Sequence, residues 1–293
     1  MKILILGSDG MLGHKLYHVL AKTFDVAGTI RGEYASLARY GFFRKPDIIP
    51  NVDAQVISTI KEAINKSKPD VAINCVGILK SLKEAQNRLA STWVNALFPH
   101  QLYQICSGQN IRLIHISTDC VFSGKKGNYT ETDPSDAEDI YGKTKYLGEV
   151  IEEGALTIRT SIIGRELATT NNLIEWFLSN QGGKINGFTN AIFSGFPTIC
   201  FAKIIANILA QEQKLSGVYH ISSEPISKYK LLTLIRDKMG SNVEIKKYPH
   251  YQCDRSLNSS LYQNKTGFKP RSWEDMIDDF VSDAEQYQQW RAT

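Results

Sequence analysis

Cysteine, long apolar runs and a strong net charge are all scarce in this chain. Its 293 residues include five cysteines, an odd number, scattered without metal-ligand spacing (Cys75, Cys106, Cys120, Cys200 and Cys253). This predicts neither a disulfide framework nor a metal site, and it indicates reduced thiols in a cytoplasmic protein. No apolar stretch is long enough to cross a bilayer, and the apolar run at the N-terminus is too short for the core of a signal peptide. We therefore expect no membrane partner.

The charges are nearly balanced, since 34 Lys and Arg residues face 30 Asp and Glu residues and leave a net charge of +4. This small excess is compatible with a phosphate-bearing ligand but falls short of the basic footprint of a nucleic-acid-binding protein. The sequence also has no low-complexity tract, no long Pro- or Ser-rich linker and no evident repeat. It is long enough for one large domain or two interleaved ones.

The most informative motif lies near the start of the chain, where the short apolar run Lys2–Leu6 is followed by Gly7-Ser8-Asp9-Gly10-Met11-Leu12-Gly13. Apolar residues then recur at helical spacing. This order of strand, glycine turn and helix is typical of dinucleotide-binding folds, in which the backbone approaches a pyrophosphate and the helix N-terminus favours its charge. An ordinary tight turn is the alternative, because the spacing G-x-x-G-x-x-G is looser than G-x-G-x-x-G.

Farther along, strand-like and helix-like segments alternate. Strand-like runs occupy residues 26–30, 48–52, 71–75, 113–117 and 156–159, and helical periodicity covers residues 56–67, 90–106 and 141–152. The alternation predicts an α/β fold, a Rossmann-type doubly wound parallel sheet with helices on both faces. Ligands of such sheets bind outside the carboxyl ends of the strands.

Beyond about residue 160 the alternation decays, and glycine-rich turns punctuate the chain. We expect residues 1–160 to form the dinucleotide-binding domain, with a return to its sheet near residues 195–222. Residues 161–194 and 223–293 are expected to form a smaller C-terminal lobe that binds the substrate.

The end of the second predicted strand bears on the type of dinucleotide. NAD-selective folds commonly carry Asp or Glu there, whereas this strand runs into Arg31. Arg31 is placed to meet a 2′-phosphate, which favours NADPH; a solvated loop arginine is the alternative, and Glu33 lies close by in the sequence. Asp53, after the third strand, is placed either to accept a hydrogen bond from adenine or to cap a helix beginning near Ala54.

Tyr141 and Lys145 stand four residues apart, which places a phenol and an amine on one face of a predicted helix. A free tyrosine has a pKa of about 10, and we expect the ammonium, together with a cationic nicotinamide, to lower it. Tyr141 would then supply the proton when a ketone accepts a hydride, while Lys145 tunes that proton. An exposed pair on an ordinary helix is the alternative.

A hydroxyl is expected beside this pair, because the predicted fifth strand delivers Ser117-Thr118-Asp119-Cys120-Val121-Phe122 at its carboxyl end. A hydroxyl in that place is able to bond a substrate carbonyl and polarise it. We assign this role to Thr118.

These motifs together resemble the extended short-chain dehydrogenases/reductases, and within them the dTDP-4-dehydrorhamnose reductase family. The resemblance implies reduction of a 4-keto group on a nucleotide-activated 6-deoxysugar, with NADPH as the donor or NADH in its place. It also implies the catalytic triad Thr118, Tyr141 and Lys145, since the family's catalytic hydroxyl stands three residues before the valine and so selects Thr118 over Ser117. The matching segments cover nearly the whole chain: residues 7–13, 69–77, 94–96, 116–122, 129–133, 141–149, 158–161, 195–198, 217–222 and 255–261.

The resemblance further implies binding residues. Together with Arg31 and Asp53, the residues expected to bind the cofactor are Gly7, Asp9, Gly10, Met11, Leu12, Gly13, Cys75, Val76, Gly77, Asn95, Tyr141 and Lys145. Those expected to bind the nucleotide-sugar are Thr118, Ser161 and Arg255, the last through its diphosphate. For Arg255 the alternative is a surface pairing with Asp254.

Three positions depart from the family pattern: Ile162 where Trp is common, Ala137 where Pro is common, and Ser256 where Pro is common. They leave the identity of the sugar open. Two other functions stay open as well: an epimerase or dehydratase of the same superfamily, and a non-catalytic NADP-binding regulatory subunit. Dehydratases use an adjacent Asp-Glu pair, whereas Thr118 is followed by Asp119-Cys120. A homodimer, with or without a divalent ion at its contact, is also left open.

Overall fold

The computed structural model describes residues 1–79, 87–211 and 215–292. The strands are β1 (Lys2–Leu6), β2 (Asp25–Thr29), β3 (Ile48–Ile49), β4 (Val71–Asn74), β5 (Arg112–Ile116), β6 (Ala155–Arg159), β7 (Ile162–Ile163), β8 (Lys184–Phe193), β9 (Phe196–Pro197), β10 (Gly217–His220), β11 (Ile226–Ser227) and β12 (Glu244–Asp254). The α-helices are α1 (Gly13–Leu20), α2 (Ala35–Ala38), α3 (Ile57–Ser67), α4 (Arg88–Ser91), α5 (Phe98–Ser107), α6 (Ile140–Leu147), α7 (Leu173–Ser179), α8 (Thr198–Ala210), α9 (Lys228–Met239), α10 (Ser260–Thr266) and α11 (Trp273–Ala292). Short 3₁₀ turns cover Lys45–Asp47 and Asp119–Val121, and a π-helical stretch, Thr92–Leu97, joins α4 to α5.

Seven strands form the central sheet, in the order β10-β6-β5-β4-β1-β2-β3, and every neighbouring pair is parallel. Successive side chains of a strand point to opposite faces, so β1 supplies two apolar cores. Ile3 and Ile5 pack on the face covered by α1 and α8, whereas Leu4 and Leu6 pack on the face covered by α3 and α5. The predicted α/β doubly wound fold is confirmed.

The strand order reverses at β1, which lies between β2 and β4. Connections that leave β1 and β4 therefore run to opposite faces of the sheet, and a crevice opens between them at the carboxyl edge. Ligands of doubly wound folds bind in this crevice.

Two small sheets lie outside the central one. Strand β8 pairs with β11 in antiparallel and with β12 in parallel orientation, and β7 pairs with β9. The register of β12 on β8 shifts between Tyr248 and Gln252, which leaves residues 249–251 as a bulge. Between β9 and β11 the chain returns to the central sheet, where β10 pairs with β6. The boundaries of the dinucleotide-binding and substrate-binding lobes stay a prediction.

Helix α6 is shorter than its sequence pattern predicts. The pattern extends to residue 152, but α6 ends at Leu147, with Gly148 as its cap. A Cβ on Gly148 would lie 1.9 Å from the carbonyl oxygen of Asn95, so only glycine allows this close approach. Glu149 then turns into the core, 2.7 Å from Arg159. The chain leaves the helical path because of these two contacts, which connect segments distant in sequence.

The segment between β3 and α3 also differs from expectation. Strand β3 ends at Ile49, short of residue 52, because Asn51 adopts a left-handed φ of 60°. Asp53 accepts a hydrogen bond from Gln55 N at 2.9 Å and so closes a turn, and α3 begins only at Ile57. The expectation of a helix directly after Asp53 is therefore wrong. The contact of Asp53 with adenine stays a prediction.

A buried ion pair joins α6 to the carboxyl ends of three strands. The carboxylate of Glu149 accepts hydrogen bonds from Arg159 Nε at 2.8 Å and Nη2 at 2.7 Å, and each side chain is only 4% exposed. Glu149 Oε1 also accepts from Ser117 Oγ at 2.7 Å. Arg159 Nη1 lies 3.2 Å from His220 Nε2, and His220 Nδ1 lies 3.0 Å from Tyr129 O. Helix α6 is thus tied to β5, β6 and β10.

Helix α11 packs against α8 and α9 and reaches the first helix of the chain. Lys15 Nζ lies 2.6 Å from Asp283 Oδ1, with side chains 0% and 6% exposed. Burial lowers the pKa of Lys15 and raises the pKa of Asp283, while their mutual attraction acts against both changes. The ammonium also lies 4.8 Å from the ring centre of Tyr287. Among the described helices, α11 included, we find none with the length and apolar content of a membrane span.

We expect Asp283→Ala to lower the free energy of unfolding by about 3–5 kcal/mol, because it leaves the Lys15 ammonium buried without its carboxylate. The double variant Lys15→Met/Asp283→Ala removes both charges and should regain most of the loss. Urea denaturation followed by circular dichroism measures all the proteins. The control is Asp278→Ala, which lies on α11 like Asp283 and removes an exposed ion pair with Lys238 of α9. It should lower the free energy of unfolding by less than about 1 kcal/mol. Equal stability of Asp283→Ala and the parent would contradict the analysis.

Candidate active site

The glycine turn after β1 depends on two residues that lack a side chain. Gly7 has a φ of +78°, and a Cβ on Gly13 would lie 2.0 Å from the carbonyl oxygen of Gly7. Hydrogen bonds from Gly7 N to Thr29 Oγ1 at 3.2 Å and from Ser8 N to Thr29 O at 2.8 Å hold the turn to β2. The N-terminus of α1 is thereby brought directly against the end of β1. A helix start in this position is suited to a phosphate.

This turn forms one wall of a cavity of about 320 Å³ at the carboxyl edge of the sheet. The opposite wall comes from the end of β5 and from α6. The cavity brings together residues that the sequence analysis took from five separate segments. Those that line it are Gly10, Met11, Leu12, Cys75, Val76, Gly77, Thr118, Tyr141, Lys145 and Ser161.

Thr118 begins the 3₁₀ turn after β5. Its Oγ1 accepts a hydrogen bond from Cys120 N at 3.1 Å and donates to Asp119 Oδ1 at 3.2 Å. A Cβ on Gly142 would lie 2.2 Å from Cys120 O, so glycine allows α6 to lie directly on this turn. The side chains of Thr118 and Tyr141 consequently lie close together. The predicted hydroxyl and phenol do meet.

Lys145 lies one turn farther along α6, with its side chain buried. Its Nζ donates a hydrogen bond to Ile116 O at 2.8 Å, which fixes the ammonium at the end of β5. Burial lowers the pKa of Lys145 to about 8, and the charge of Glu149 acts in the opposite direction. The amine is therefore mostly a cation at neutral pH and loses its charge as the pH rises through about 8.

The pKa of Tyr141 moves in the direction opposite to our expectation. Burial raises it above its usual value, and the interaction with the Thr118 hydroxyl opposes only part of that rise. The sequence analysis considered the lysine charge and left out desolvation of the phenol, which depends on the packing of α6 against β5. The phenol of Tyr141 is therefore protonated at neutral pH.

Two further residues line the cavity beside Thr118, and neither was assigned a role from the sequence. Asp119 and Cys120 follow Thr118, and both line the cavity. Burial raises the pKa of the Asp119 carboxyl, while the charge of Arg255 acts to lower it. Burial also raises the pKa of the Cys120 thiol to about 12, so it is no nucleophile at neutral pH. Adjacency to Thr118 was the signal that could have identified Asp119.

A second cavity of about 180 Å³ adjoins the first and shares Asp119, Cys120, Ser161 and Ile162 with it. Arg255 lines this cavity, as do Lys228 at the start of α9 and Tyr251 on β12. Lys228 and Tyr251 were not expected, because nothing in the local sequence links them to the motifs.

Arg255 is held in place by a hydrogen bond from its Nε to Phe122 O at 2.8 Å. Asp254, its neighbour in the chain, accepts a hydrogen bond from Ser256 N at 2.9 Å. The Arg255 side chain thus connects the segment after β5 with the end of β12 at the cavity wall. Its contact with a diphosphate stays a prediction.

Asn95 holds the wall after β4 in place. It lies in the π-helical stretch, a feature often found at functional positions. Its Oδ1 accepts from Ile78 N at 2.8 Å and its Nδ2 donates to Ile78 O at 3.1 Å. Nδ2 also lies 3.4 Å from Thr144 Oγ1 on α6. The segment that follows Cys75 is thereby fixed to the helix that carries Tyr141.

Arg31 lies exposed after β2, at the outer end of the glycine turn. Burial raises the pKa of Asp9, and the charge of Arg31 acts to lower it, so the two side chains are close. Glu33, the nearby acid in the sequence, accepts a hydrogen bond from Asn51 Nδ2 at 2.8 Å. Contacts of Arg31 and Asp9 with a cofactor stay predictions. Within the three described stretches, no three or more His, Cys, Asp or Glu side chains are grouped to hold a metal ion.

The sequence is similar to known proteins over nearly its whole length. The chain is 27% identical to the dTDP-4-dehydrorhamnose reductase of Aggregatibacter actinomycetemcomitans, over 93% of this chain and 96% of that protein. It is 25% identical to methionine adenosyltransferase 2 subunit beta of Xenopus tropicalis, over 94% of this chain and 80% of that protein.

The fold is also similar to solved structures. The dTDP-4-dehydrorhamnose reductase of Bacillus anthracis str. Ames, solved in complex with NADP, matches with a TM-score of 0.78 at 19% identity, covering 96% of this chain and 99% of that one. The sequence model of the RmlD substrate binding domain matches residues 1–286. The chain therefore belongs to the RmlD substrate binding domain family, as its resemblance to the dTDP-4-dehydrorhamnose reductases predicted.

Proposed function

We propose that this chain is an NADPH-dependent reductase of a nucleotide-activated 4-keto-6-deoxysugar. The observation that carries the proposal is the meeting of Thr118, Tyr141 and Lys145 in one cavity, opposite the glycine turn. A dinucleotide-binding module without activity has no need of a buried proton donor. The names of several relatives, among them the Aggregatibacter reductase, support the same reaction.

The glycine turn suits a dinucleotide, because the missing side chains at Gly7 and Gly13 leave the start of α1 open beside the sheet edge. Its backbone would hold the pyrophosphate, with Arg31 directed to a 2′-phosphate. NADPH, when bound, supplies a hydride to the carbonyl carbon; NADH would serve less well. Residues 1–160, with the return near 195–222, would form this half of the site.

Reduction also requires a proton on the carbonyl oxygen. The hydroxyl of Thr118 would bond that oxygen and align it with Tyr141. Burial keeps the phenol of Tyr141 protonated before the reaction. Tyr141 would then donate its proton to the carbonyl oxygen as the C4 carbonyl becomes an alcohol. The cation of Lys145 stabilises the phenolate that remains, which then takes a proton back from water.

The nucleotide-sugar would lie between the sheet edge and the lobe formed by residues 161–194 and 223–293. Its sugar would occupy the cavity beside Tyr141, and its diphosphate would meet Arg255 and Lys228 in the adjoining one. A planar guanidinium is suited to bidentate contact with phosphate. The sugar itself stays open, because Ile162 stands where relatives commonly have Trp.

Turnover by the wild-type protein and Tyr141→Phe tests the reaction. We expect the wild type to consume NADPH with one or more sugars of a panel of nucleotide-activated 4-keto sugars, and Tyr141→Phe to lower kcat by about 10²- to 10⁴-fold while NADPH still binds. Tyr146→Phe, an exposed tyrosine on the same helix, is the control and should keep full activity. The absorbance of NADPH follows the reaction.

The same measurements separate the alternatives. A regulatory subunit, for which the Xenopus relative is named, would bind NADPH and reduce no sugar in the panel. An epimerase or dehydratase would convert a nucleotide-sugar without net consumption of NADPH. Either result, or wild-type turnover by Tyr141→Phe, would overturn the proposal.

Arg31 should set the choice of cofactor. A charge-assisted hydrogen bond to phosphate contributes about 1.5–3 kcal/mol, so we expect NADPH to bind roughly 10- to 100-fold more tightly than NADH. Arg31→Ala should remove most of that difference by weakening NADPH binding alone. Arg236→Ala on α9 in the other lobe is the control. Equal dissociation constants of the two cofactors in the parent protein, measured by calorimetry, would show that Arg31 has no such role.

A further inference from the structure

The cavity that contains Arg255 and Lys228 continues to an aromatic side chain. Tyr251, Cys253 and Arg255 all line it. Tyr251 and Cys253 stand two residues apart on β12, and Arg255 follows directly after that strand. The end of β12 therefore forms one wall of this cavity.

The bulge in β12 explains how Tyr251 reaches this position. Residues 249–251 stand opposite the single residue Thr189 of β8, and Asn190 Nδ2 on β8 holds the bulge by donating to Pro249 O at 2.9 Å. Bulges commonly re-aim a side chain beside a binding site. In a regular strand these residues would each pair with a residue of β8. The bulge instead interrupts that pairing at Tyr251, and the side chain of Tyr251 lines the cavity.

Tyr251 belongs to an aromatic cluster on the surface of this sheet. Its ring centre lies 5.1 Å from that of Phe188, which lies 5.5 Å from that of Tyr248, and Tyr248 lies 5.3 Å from His250. Phe188 thus supports Tyr251 on one side. Tyr251 is nevertheless 47% exposed, so a broad part of its surface is accessible beside the cavity.

The groups along the two joined cavities follow a chemical order. The proton donor Tyr141 lies in the first cavity, the cations Arg255 and Lys228 lie in the second, and the ring of Tyr251 lies beside them. A nucleoside-diphosphate sugar carries a ketone, a diphosphate and a flat aromatic base in the same order. Aromatic side chains stack on bases of every kind, because each base has a π-face.

We propose that Tyr251, supported by Phe188, is the surface on which the base of the nucleotide-sugar stacks. This assignment rests on the proposed function and adds its nucleotide subsite. Stacking tolerates different bases, so Tyr251 contributes affinity for a nucleotide over a bare diphosphate and leaves the choice of base to other contacts.

A different role for Tyr251 would act through its neighbour. Its side chain lies close to that of Arg255, so a polar contact of the Tyr251 hydroxyl could instead orient the guanidinium. That role would depend on the hydroxyl and would affect every diphosphate. Stacking depends on the ring and affects only ligands that carry a base.

Calorimetric titration with two probes separates these roles. The probes are thymidine diphosphate and inorganic pyrophosphate, each titrated into the full-length protein saturated with NADP⁺ so that the cofactor site is filled. We expect Tyr251→Ala to weaken thymidine diphosphate binding by about 5- to 150-fold and pyrophosphate binding by less than about twofold. Tyr251→Phe should bind both probes as the parent does. Arg255→Ala should weaken both by about 10- to 100-fold.

The control is Tyr146→Ala, an equally exposed tyrosine on α6, which should bind both probes as the parent does. Unchanged thymidine diphosphate binding by Tyr251→Ala would overturn the stacking role, as would an equal loss for pyrophosphate or a loss in Tyr251→Phe. A parent protein that binds no thymidine diphosphate and reduces no sugar would overturn the proposed function itself. If the parent reduces a sugar and Tyr251→Ala binds thymidine diphosphate as tightly as the parent does, only the stacking role is overturned.

Discussion

The buried carboxylate of Glu149 is the interaction on which the geometry of the site depends. It joins Arg159 at the end of β6 and Ser117 at the end of β5, and through Arg159 it reaches β10. Ser117 immediately precedes Thr118, and Glu149 stands one turn beyond Lys145. One carboxylate therefore fixes both the strand end that presents the hydroxyl and the helix that presents the amine. Because the pair is almost fully buried, loss of either partner would leave an unpaired charge in the core.

Absent side chains complete that alignment. Gly13 lets α1 approach the end of β1, Gly142 lets α6 lie on the turn after Thr118, and Gly148 lets α6 end against the backbone of Asn95. In each case a Cβ would come within about 2 Å of a backbone oxygen, a contact that packed atoms do not reach. Close packing at three glycines thus brings the glycine turn and the proposed proton donor to one cavity.

Much of the fold and of the candidate site could be predicted, because both depend on local patterns. The alternation of apolar segments predicted the doubly wound sheet, and the motifs supplied ten of the residues that line the cavity. The predicted end of α6 and the predicted direction of the pKa shift of Tyr141 were wrong. Both depend on burial against distant segments, which no local pattern reports. Lys228 and Tyr251 were missed for the same reason, since Lys228 follows β11 and Tyr251 lies on β12, and both strands are placed by pairing with β8.

The sequence by itself determined which chemical groups the site contains: a glycine turn before a helix, a hydroxyl after a strand, and a phenol and an amine one helical turn apart. Those spacings are fixed by backbone geometry, so they need no knowledge of the rest of the chain. The tertiary structure alone decided the state and surroundings of these groups. Desolvation, ion pairing and the bulge that directs Tyr251 all arise when segments far apart in the chain exclude water from one another.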